Sequence, residues 1–148
     1  MVKTGEKKIK KVANPYPPAK NNHIPTNHTM KIETHKFNDK KIAEIISDEI
    51  ILKTTDDGLD LLGNLYYQGF DKIIIHEKNI VPGFFDLKTK IAGDILQKFA
   101  QYQMPLIIVG DFSKFKSKSL NDFIFESNKG KQINFVGSQP EAIKVLSK

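Results

Sequence analysis

Ionisable side chains that can carry acid-base chemistry follow two apolar runs of the chain. His76 and Glu77 come directly after the first run, Asp111 follows closely after the second, and Asp86 lies between them in sequence. An imidazole titrates near neutral pH, so His76 and Glu77 form a candidate acid-base pair. Successive residues at a strand end point to opposite faces, however, which argues against both reaching one substrate.

A simpler interpretation, which we favour, gives these polar groups structural roles. His76 would hydrogen-bond a loop carbonyl, and the acids would be solvated or would cap helices, because polar groups at strand ends need such partners in any fold. Neither of the two common glycine-rich phosphate-binding motifs follows a strand, so no nucleotide cofactor is predicted. His23 and His28 lack a third ligand, so no metal site is predicted either.

The two apolar runs, residues 73–75 and 106–109, are the elements that must position these side chains. Runs without polar alternation are typical of strands buried on both faces, as in a parallel sheet covered by helices. The carboxyl ends of such strands meet at one edge, where open α/β sheets usually bind ligands. We therefore expect the runs to be neighbouring central strands and their polar neighbours to share that edge.

The other segments complete an α/β pattern. Residues 30–37 and 41–46 predict a hairpin around Asn38-Asp39. Residues 132–136 alternate and predict a strand nearer the sheet edge. A long amphipathic helix is expected to begin at about Pro82. Three further helices have hydroxyl residues that can cap the first turn, in Thr54-Thr55, in the segment from Ser117 to Ser119, and at Ser138.

The resulting order is β-β-α-β-α-β-α-β-α. Alternation of strands and helices favours right-handed crossovers and a mixed, mostly parallel sheet of about five strands with about four helices. At 148 residues and 39% apolar, the chain suits one globular domain. We place this domain at residues 30–148.

The excess positive charge belongs to the first part of the chain. Residues 1–20 carry six of the 23 lysines against one acidic residue, and the segment as far as residue 29 has little apolar material to bury. We interpret residues 1–29 as a disordered basic extension and Met30 as the natural start of the protein.

Composition narrows the classes of partner and compartment. The chain has no Arg, the residue that reads guanine edges and clamps phosphate through two hydrogen bonds, so specific nucleic-acid binding is not expected. The absence of Cys fits a reducing cytosol. The apolar runs are far shorter than the roughly 20 residues that span a bilayer, so we expect a cytoplasmic protein without a membrane partner.

Several segments carry a resemblance to known families. Residues 45–62 and 134–142 (Asn-Phe-Val-Gly-Ser-Gln-Pro-Glu-Ala) resemble strand-helix units of the sulfate-transporter and anti-sigma-factor-antagonist (STAS) fold. Residues 65–72 and 75–99 are more closely similar to a small bacterial family filed as domain of unknown function 4180. The resemblance implies a STAS-like topology over about residues 30–147.

The resemblance also implies a regulatory role. STAS antagonists carry a phosphorylatable Ser after an Asp at the start of their second helix. Here Asp86 matches the Asp, and the nearest hydroxyl is that of Thr89, which we place one turn inside the helix. A protein partner would then dock around the second helix and the loop before it.

Paired aromatic residues offer an apolar surface for such a partner. Most aromatic side chains must fill the core, but one member of a pair, such as Tyr67, Phe85 or Phe112, can remain exposed. If Phe85 and Phe112 share the edge that carries His76, they form a docking groove rimmed by polar groups.

The leading functional hypothesis is a non-enzymatic regulatory or protein-interaction module. The alternative is a small-molecule-binding protein or weak hydrolase that uses His76, Glu77 and Asp111, which an enclosed pocket at that edge would favour. A third hypothesis, nucleic-acid binding by the basic extension, predicts strong salt dependence.

Overall fold

The computed structural model describes residues 30–146. The predicted extension over residues 1–29, with His23 and His28, lies outside the described residues, as do the last two residues of the predicted domain. These interpretations stay predictions.

The described chain opens with a β-hairpin. Strand β1 (Met30–Phe37) pairs antiparallel with β2 (Lys40–Ser47). Asn38 and Asp39 form the two-residue turn between them, with φ of 49° and 70°. Positive φ at both central positions is the geometry of a type I′ turn, which matches the twist of the strands it joins, and Asn and Asp tolerate it better than most residues. The predicted hairpin is confirmed.

Three parallel strands extend the hairpin into a five-stranded sheet of order β1-β2-β3-β4-β5. They are β3 (Lys72–His76), β4 (Leu106–Val109) and β5 (Ile133–Val136). The two strands predicted to lie side by side inside the sheet are β3 and β4, with Ile74 opposite Ile107, and β5 lies at the edge. These predictions are confirmed.

Four helices complete the predicted α/β fold. They are α1 (Thr55–Tyr67), α2 (Ile91–Gln101), α3 (Lys118–Ser127) and α4 (Gln139–Leu146). The predicted caps act as expected at Thr54 and Ser117, whose hydroxyl groups accept hydrogen bonds from backbone N–H groups of the first turn. The fold class of a mixed, mostly parallel sheet is confirmed.

The two faces of the sheet are covered unequally. Because β2 to β5 are added in one direction, right-handed crossovers place α1, α2 and α3 on the same face. The main core forms there, with Ile73, Ile75 and Ile108 facing the helices. The other face, which we call the α4 face, carries a smaller core in which Ile74 and Ile107 meet side chains of α4.

The prediction that a long helix begins at about Pro82 is wrong. Two 3₁₀ turns, Pro82–Phe85 and Leu87–Thr89, precede α2, which begins only at Ile91. Asp86 caps the second turn by accepting from the backbone N–H of Lys88, and Lys90 adopts a left-handed conformation with φ of 69°. A left-handed residue interrupts any continuous helix at that point.

Within residues 30–146, no helix combines the length and the apolar character that crossing a membrane requires.

Candidate functional site

The most unusual polar group of the domain is a carboxylate buried on the α4 face. Glu44 lies in the middle of β2, directly opposite Glu33 of β1, and both project from this face. Ile74 lies opposite Glu44 in β3, so His76, two residues further on, shares the face as well. Helix α4 packs mainly against β4 and β5, and the histidine side chains beyond its reach remain partly exposed.

Three side chains from three other elements donate hydrogen bonds to Glu44. His35 of β1 reaches Oε1 through Nε2 at 2.9 Å, and His76 at the end of β3 reaches Oε2 through Nε2 at 2.8 Å. Gln139 at the start of α4 donates its amide N–H to Oε1 at 3.1 Å. We call these four residues the Glu44 centre.

Burial differs sharply within the Glu44 centre. Glu44 is 3% exposed, whereas the side chains of His35 and His76 are 22% and 24% exposed. Burial alone would raise the pKa of Glu44. Hydrogen bonds from His76, His35 and Gln139, together with the charge of His76, outweigh burial and hold that pKa below its ordinary value. The centre therefore contains a buried negative charge between two imidazoles that reach the surface.

A fourth ionisable group lies beside the centre. Carboxylate oxygens of Glu33 and Glu44 and an imidazole nitrogen of His35 all lie within 4.8 Å of one another. Among residues 30–146, Glu33 is exposed and forms no hydrogen bond or ion pair. Carboxylate and imidazole groups are common metal ligands, so these three side chains are the ones of the described chain best placed to hold a cation.

Among residues 30–146, the arrangement contains the carboxylate–imidazole pair of a hydrolytic triad but no hydroxyl bonded to either imidazole. A carboxylate that orients an imidazole is how serine hydrolases position their general base. In the described part of the chain, neither His35 nor His76 is hydrogen-bonded to a Ser or Thr hydroxyl that could act as nucleophile. Both oxygens of Glu44 are also engaged.

The predicted acid-base pair is separated by the fold. His76 faces Glu44, while Glu77 forms an ion pair with Lys114 and packs beside Gly110. The partner found for His76 is the Glu44 carboxylate, in place of the predicted loop carbonyl. His76 and Glu77 therefore do not share one site.

The other two predicted acids cap short helical turns, as the structural interpretation expected. Asp111 Oδ1 accepts from the backbone N–H and the hydroxyl of Ser113, at 3.1 and 2.6 Å. Both bonds lower the pKa of Asp111, and the bond from the Ser113 hydroxyl lowers it most. Asp86 plays the same part before Lys88. Neither contacts the Glu44 centre.

The predicted docking groove does not form at Phe85. Phe85 is 3% exposed and stacks on Phe115 with ring centroids 4.9 Å apart, so the expectation that it remains at the surface is wrong. Phe112 is half-buried and lies 5.9 Å from Phe85. Phe84 and Phe85, which follow Pro82 and Gly83, both place their rings in the main core. Tyr67 is exposed, as expected.

Thr89 lies before α2, and the prediction that it sits one turn inside that helix is wrong. Its hydroxyl contacts the carbonyls of Gly83 at 2.7 Å and Asp86 at 2.9 Å, and it accepts from the backbone N–H of Ile91. The hydroxyl thus ties the two 3₁₀ turns to the helix start. A phosphate there would have to break these contacts.

Glu44, His35 and Gln139 were missed by sequence reasoning. The sequence carried a signal for Glu44 and His35. The two-residue turn at Asn38-Asp39 sets the register of the hairpin and places these two residues on one face. Glu44 also stands alone among the apolar residues of its strand. The contacts with His76 and Gln139 depend on long-range packing, for which the sequence carries no local signal.

The sequence profile of a family described as Domain of unknown function (DUF4180) matches residues 37–146, which include β2 to β5 and all four helices. No curated protein and no solved structure matches the chain.

Proposed function

The chain belongs to the DUF4180 family, and we propose that its domain is a non-enzymatic regulatory module that binds a small ligand at the Glu44 centre. One observation carries the proposal: a buried carboxylate accepts hydrogen bonds from two histidines and a glutamine. Burying a charge is costly even when it is paired, and hydrophobic residues of similar volume often serve stability as well or better. Perturbed ionisable groups of this kind are enriched at functional sites.

The regulatory part of the proposal follows from connectivity. Glu44 in β2 is bonded to β1 through His35, to β3 through His76 and to α4 through Gln139. A ligand that takes one of the carboxylate oxygens, or withdraws one histidine, must change a contact with at least one of these elements. Such a difference in contacts is what a ligand needs in order to shift a conformational equilibrium.

The non-enzymatic part follows from what the centre lacks. Within residues 30–146, neither histidine is paired with a hydroxyl nucleophile, and both carboxylate oxygens of Glu44 already accept hydrogen bonds. We therefore place the weak hydrolase hypothesis behind ligand binding, while keeping the part of that alternative that concerns small-molecule binding.

A panel of simple probes tests the proposal. Melting temperature is measured with zinc, magnesium, inorganic phosphate, acetate and guanidinium salts, and the imidazole signals of His35 and His76 are followed by nuclear magnetic resonance. A probe at about 100 times its dissociation constant stabilises the fold by about 2.7 kcal/mol, a shift of roughly 10 °C. At least one probe should do so and should move both imidazole signals.

The control for the panel is Glu44→Gln, for which the shift should vanish. If no member of the panel shifts the melting temperature of the unmodified protein, the proposal is wrong. Turnover of p-nitrophenyl acetate or phosphate that Glu44→Gln abolishes would overturn its non-enzymatic part.

Protein interaction remains a second candidate because a specific surface favours it. Tyr66, Tyr67 and Tyr102 are exposed and adjacent at the ends of α1 and α2, with ring centroids 6.5 Å (Tyr66–Tyr67) and 6.4 Å (Tyr66–Tyr102) apart. Tyrosine is enriched at protein interfaces, where it offers a large apolar ring and a polar end. We call these residues the tyrosine surface. It replaces the Phe85 groove as the proposed docking site for a protein partner.

The docking test compares variants against one partner. A partner isolated with the unmodified protein from the cells that encode it should be lost on Tyr66→Ser with Tyr102→Ser and retained on Phe125→Ser, an exposed aromatic residue of α3. Equal capture by all three proteins would exclude the tyrosine surface.

A further inference from the structure

We propose that the ligand of the Glu44 centre is a divalent transition-metal ion of the Zn²⁺ class, bound by Glu33, His35 and Glu44. This inference rests on the proposed function, since it names the ligand of the same site. It extends the centre by one residue, Glu33, which makes no contact of its own with a protein donor among residues 30–146.

The hairpin brings two carboxylates together without a cation of the protein between them. Glu33 and Glu44 are directly opposite each other in the antiparallel ladder. Like charges in this position repel and destabilise a hairpin. The lysines that form ion pairs in the described chain belong to other acids and do not reach Glu33. A bound cation would turn this repulsion into attraction.

The third ligand is an imidazole already directed at the same point. His35 Nε2 lies 2.9 Å from Glu44 Oε1, and the ligand atoms of all three side chains lie within 4.8 Å of one another. In a tetrahedral zinc site with bonds of about 2.0–2.2 Å, ligand atoms are roughly 3.3–3.5 Å apart. The His35–Glu44 distance must therefore open by about 0.5 Å. Any contraction falls mainly on Glu33, whose exposed side chain on the edge strand can move toward the other two.

Metal binding requires His35 Nε2 to carry no proton. A neutral His35 moves its proton from Nε2 to Nδ1, so the imidazole stays neutral and no net proton is released, and the metal then takes the place of that proton between His35 Nε2 and Glu44 Oε1. One imidazole with two carboxylates suits zinc and neighbouring divalent metals, whereas magnesium and calcium prefer oxygen ligands alone. Three protein ligands leave a fourth position for water or for a group of a partner.

His76 and Gln139 act as positioning residues in this arrangement. His76 donates to Glu44 Oε2 and Gln139 donates to Oε1, so the buried carboxylate is held in one orientation before any metal arrives. Hydrogen bonds to ligating carboxylates raise metal affinity by about 10–100-fold in known sites. Binding of a metal would thus change the hydrogen bonds that Glu44 accepts from β3 and α4, in line with the regulatory role.

Zinc titration of the full chain, by calorimetry and by competition with a chromogenic chelator, tests the inference. One zinc ion should bind per chain. Glu33→Gln, an exposed substitution that leaves the fold intact, should weaken binding about tenfold or more, and so should His35→Gln. The matched control Glu126→Gln, an exposed acid of α3, should not. Affinity should fall as the pH is lowered, because protons compete with the metal for the imidazole and carboxylate ligands.

His23 and His28 provide a necessary control, because they could bind zinc by themselves. The double variant His23→Ala with His28→Ala should keep the full affinity. Loss of binding in that variant, or equal affinity of Glu33→Gln and the unmodified chain, would overturn the inference. If phosphate or guanidinium stabilises the domain and zinc does not bind, the inference fails and the proposed function stands. If no probe of the panel binds, both fail.

Discussion

Replacing Glu44 with glutamine removes the charge of the centre at almost constant volume. The carboxylate accepts three side-chain hydrogen bonds, and each bond to a charged group contributes about 1.5–3 kcal/mol. The amide keeps one accepting oxygen but presents N–H groups in place of the other, so either His35 or His76 must turn or lose its acceptor. We expect the free energy of unfolding to fall by about 2–3 kcal/mol, which lowers the melting temperature by roughly 10 °C.

Urea unfolding near neutral pH measures this loss. Glu33→Gln is the matched control, since it makes the same chemical change on the opposite strand at an exposed carboxylate without a hydrogen bond. It should raise the free energy of unfolding by up to about 1 kcal/mol, opposite in sign to Glu44→Gln, because it relieves the repulsion between the two carboxylates. The contrast between the two variants isolates the contribution of the buried bonds from the effect of net charge.

The pH dependence supplies a second measurement of the same carboxylate. The pKa of Glu44 in the folded protein lies below its ordinary value of 4.5. Its contribution to stability is therefore complete above the unfolded value and is lost as the pH falls through the folded one. The difference between the unmodified protein and Glu44→Gln should shrink below about pH 4.5. A loss under about 0.5 kcal/mol at neutral pH, or a difference that stays constant into acid, would refute the reasoning.

Three further substitutions probe the rest of the structure. Phe85→Ser should cost about 3–5 kcal/mol in urea unfolding because the ring is buried in the main core, while Phe125→Ser, at a side chain 64% exposed, should cost no more than about 0.5 kcal/mol; similar values would contradict the burial of Phe85. Gly110→Ala should cost about 1–3 kcal/mol, since the new Cβ would lie 2.5 Å from Glu77 Cβ, and an unchanged melting temperature would disprove this contact. Thr89→Val should cost about 1–2 kcal/mol through the lost hydroxyl bonds, with Thr34→Val, exposed on β1, as the neutral comparison; equal melting curves would show that the Thr89 hydroxyl is dispensable.

The fold was largely predictable because its signals are local. Residues 73–75 and 106–109 have no polar positions, which is typical of strands covered on both faces, and they lie in β3 and β4. Asn38-Asp39 carries the turn chemistry that a type I′ hairpin requires. Thr54 and Ser117 cap their helices through hydroxyl groups at the expected places.

The start of α2 was not predictable from periodicity. Pro82 and the following apolar residues fit a helix, but the side-chain bonds of Asp86 and Thr89 close two 3₁₀ turns instead. Lys90 then adopts a left-handed conformation, for which a lysine gives no warning. The apolar pattern of residues 82–90 fits both a helix and two 3₁₀ turns. The side-chain hydrogen bonds of Asp86 and Thr89 favour the 3₁₀ turns.

The candidate site was only partly predictable. His76 was identified from its position at a strand end, but its partner Glu44 lies 32 residues earlier and meets it only through the pairing of β2 with β3. That pairing is set by the packing of the whole sheet. Residue types and spacing indicated the edge at which chemistry is possible, and they did not indicate which groups would meet there.

The hairpin that carries Glu33, His35 and Glu44 has a consequence for the order of folding. Its strands are joined by two residues, so it can close within microseconds, long before distant segments are found. We expect His76 and Gln139 to arrive later, because their segments join the sheet only through crossover helices. In this order of events the carboxylate of Glu44 stays hydrated during early assembly, and its desolvation is a late step of folding.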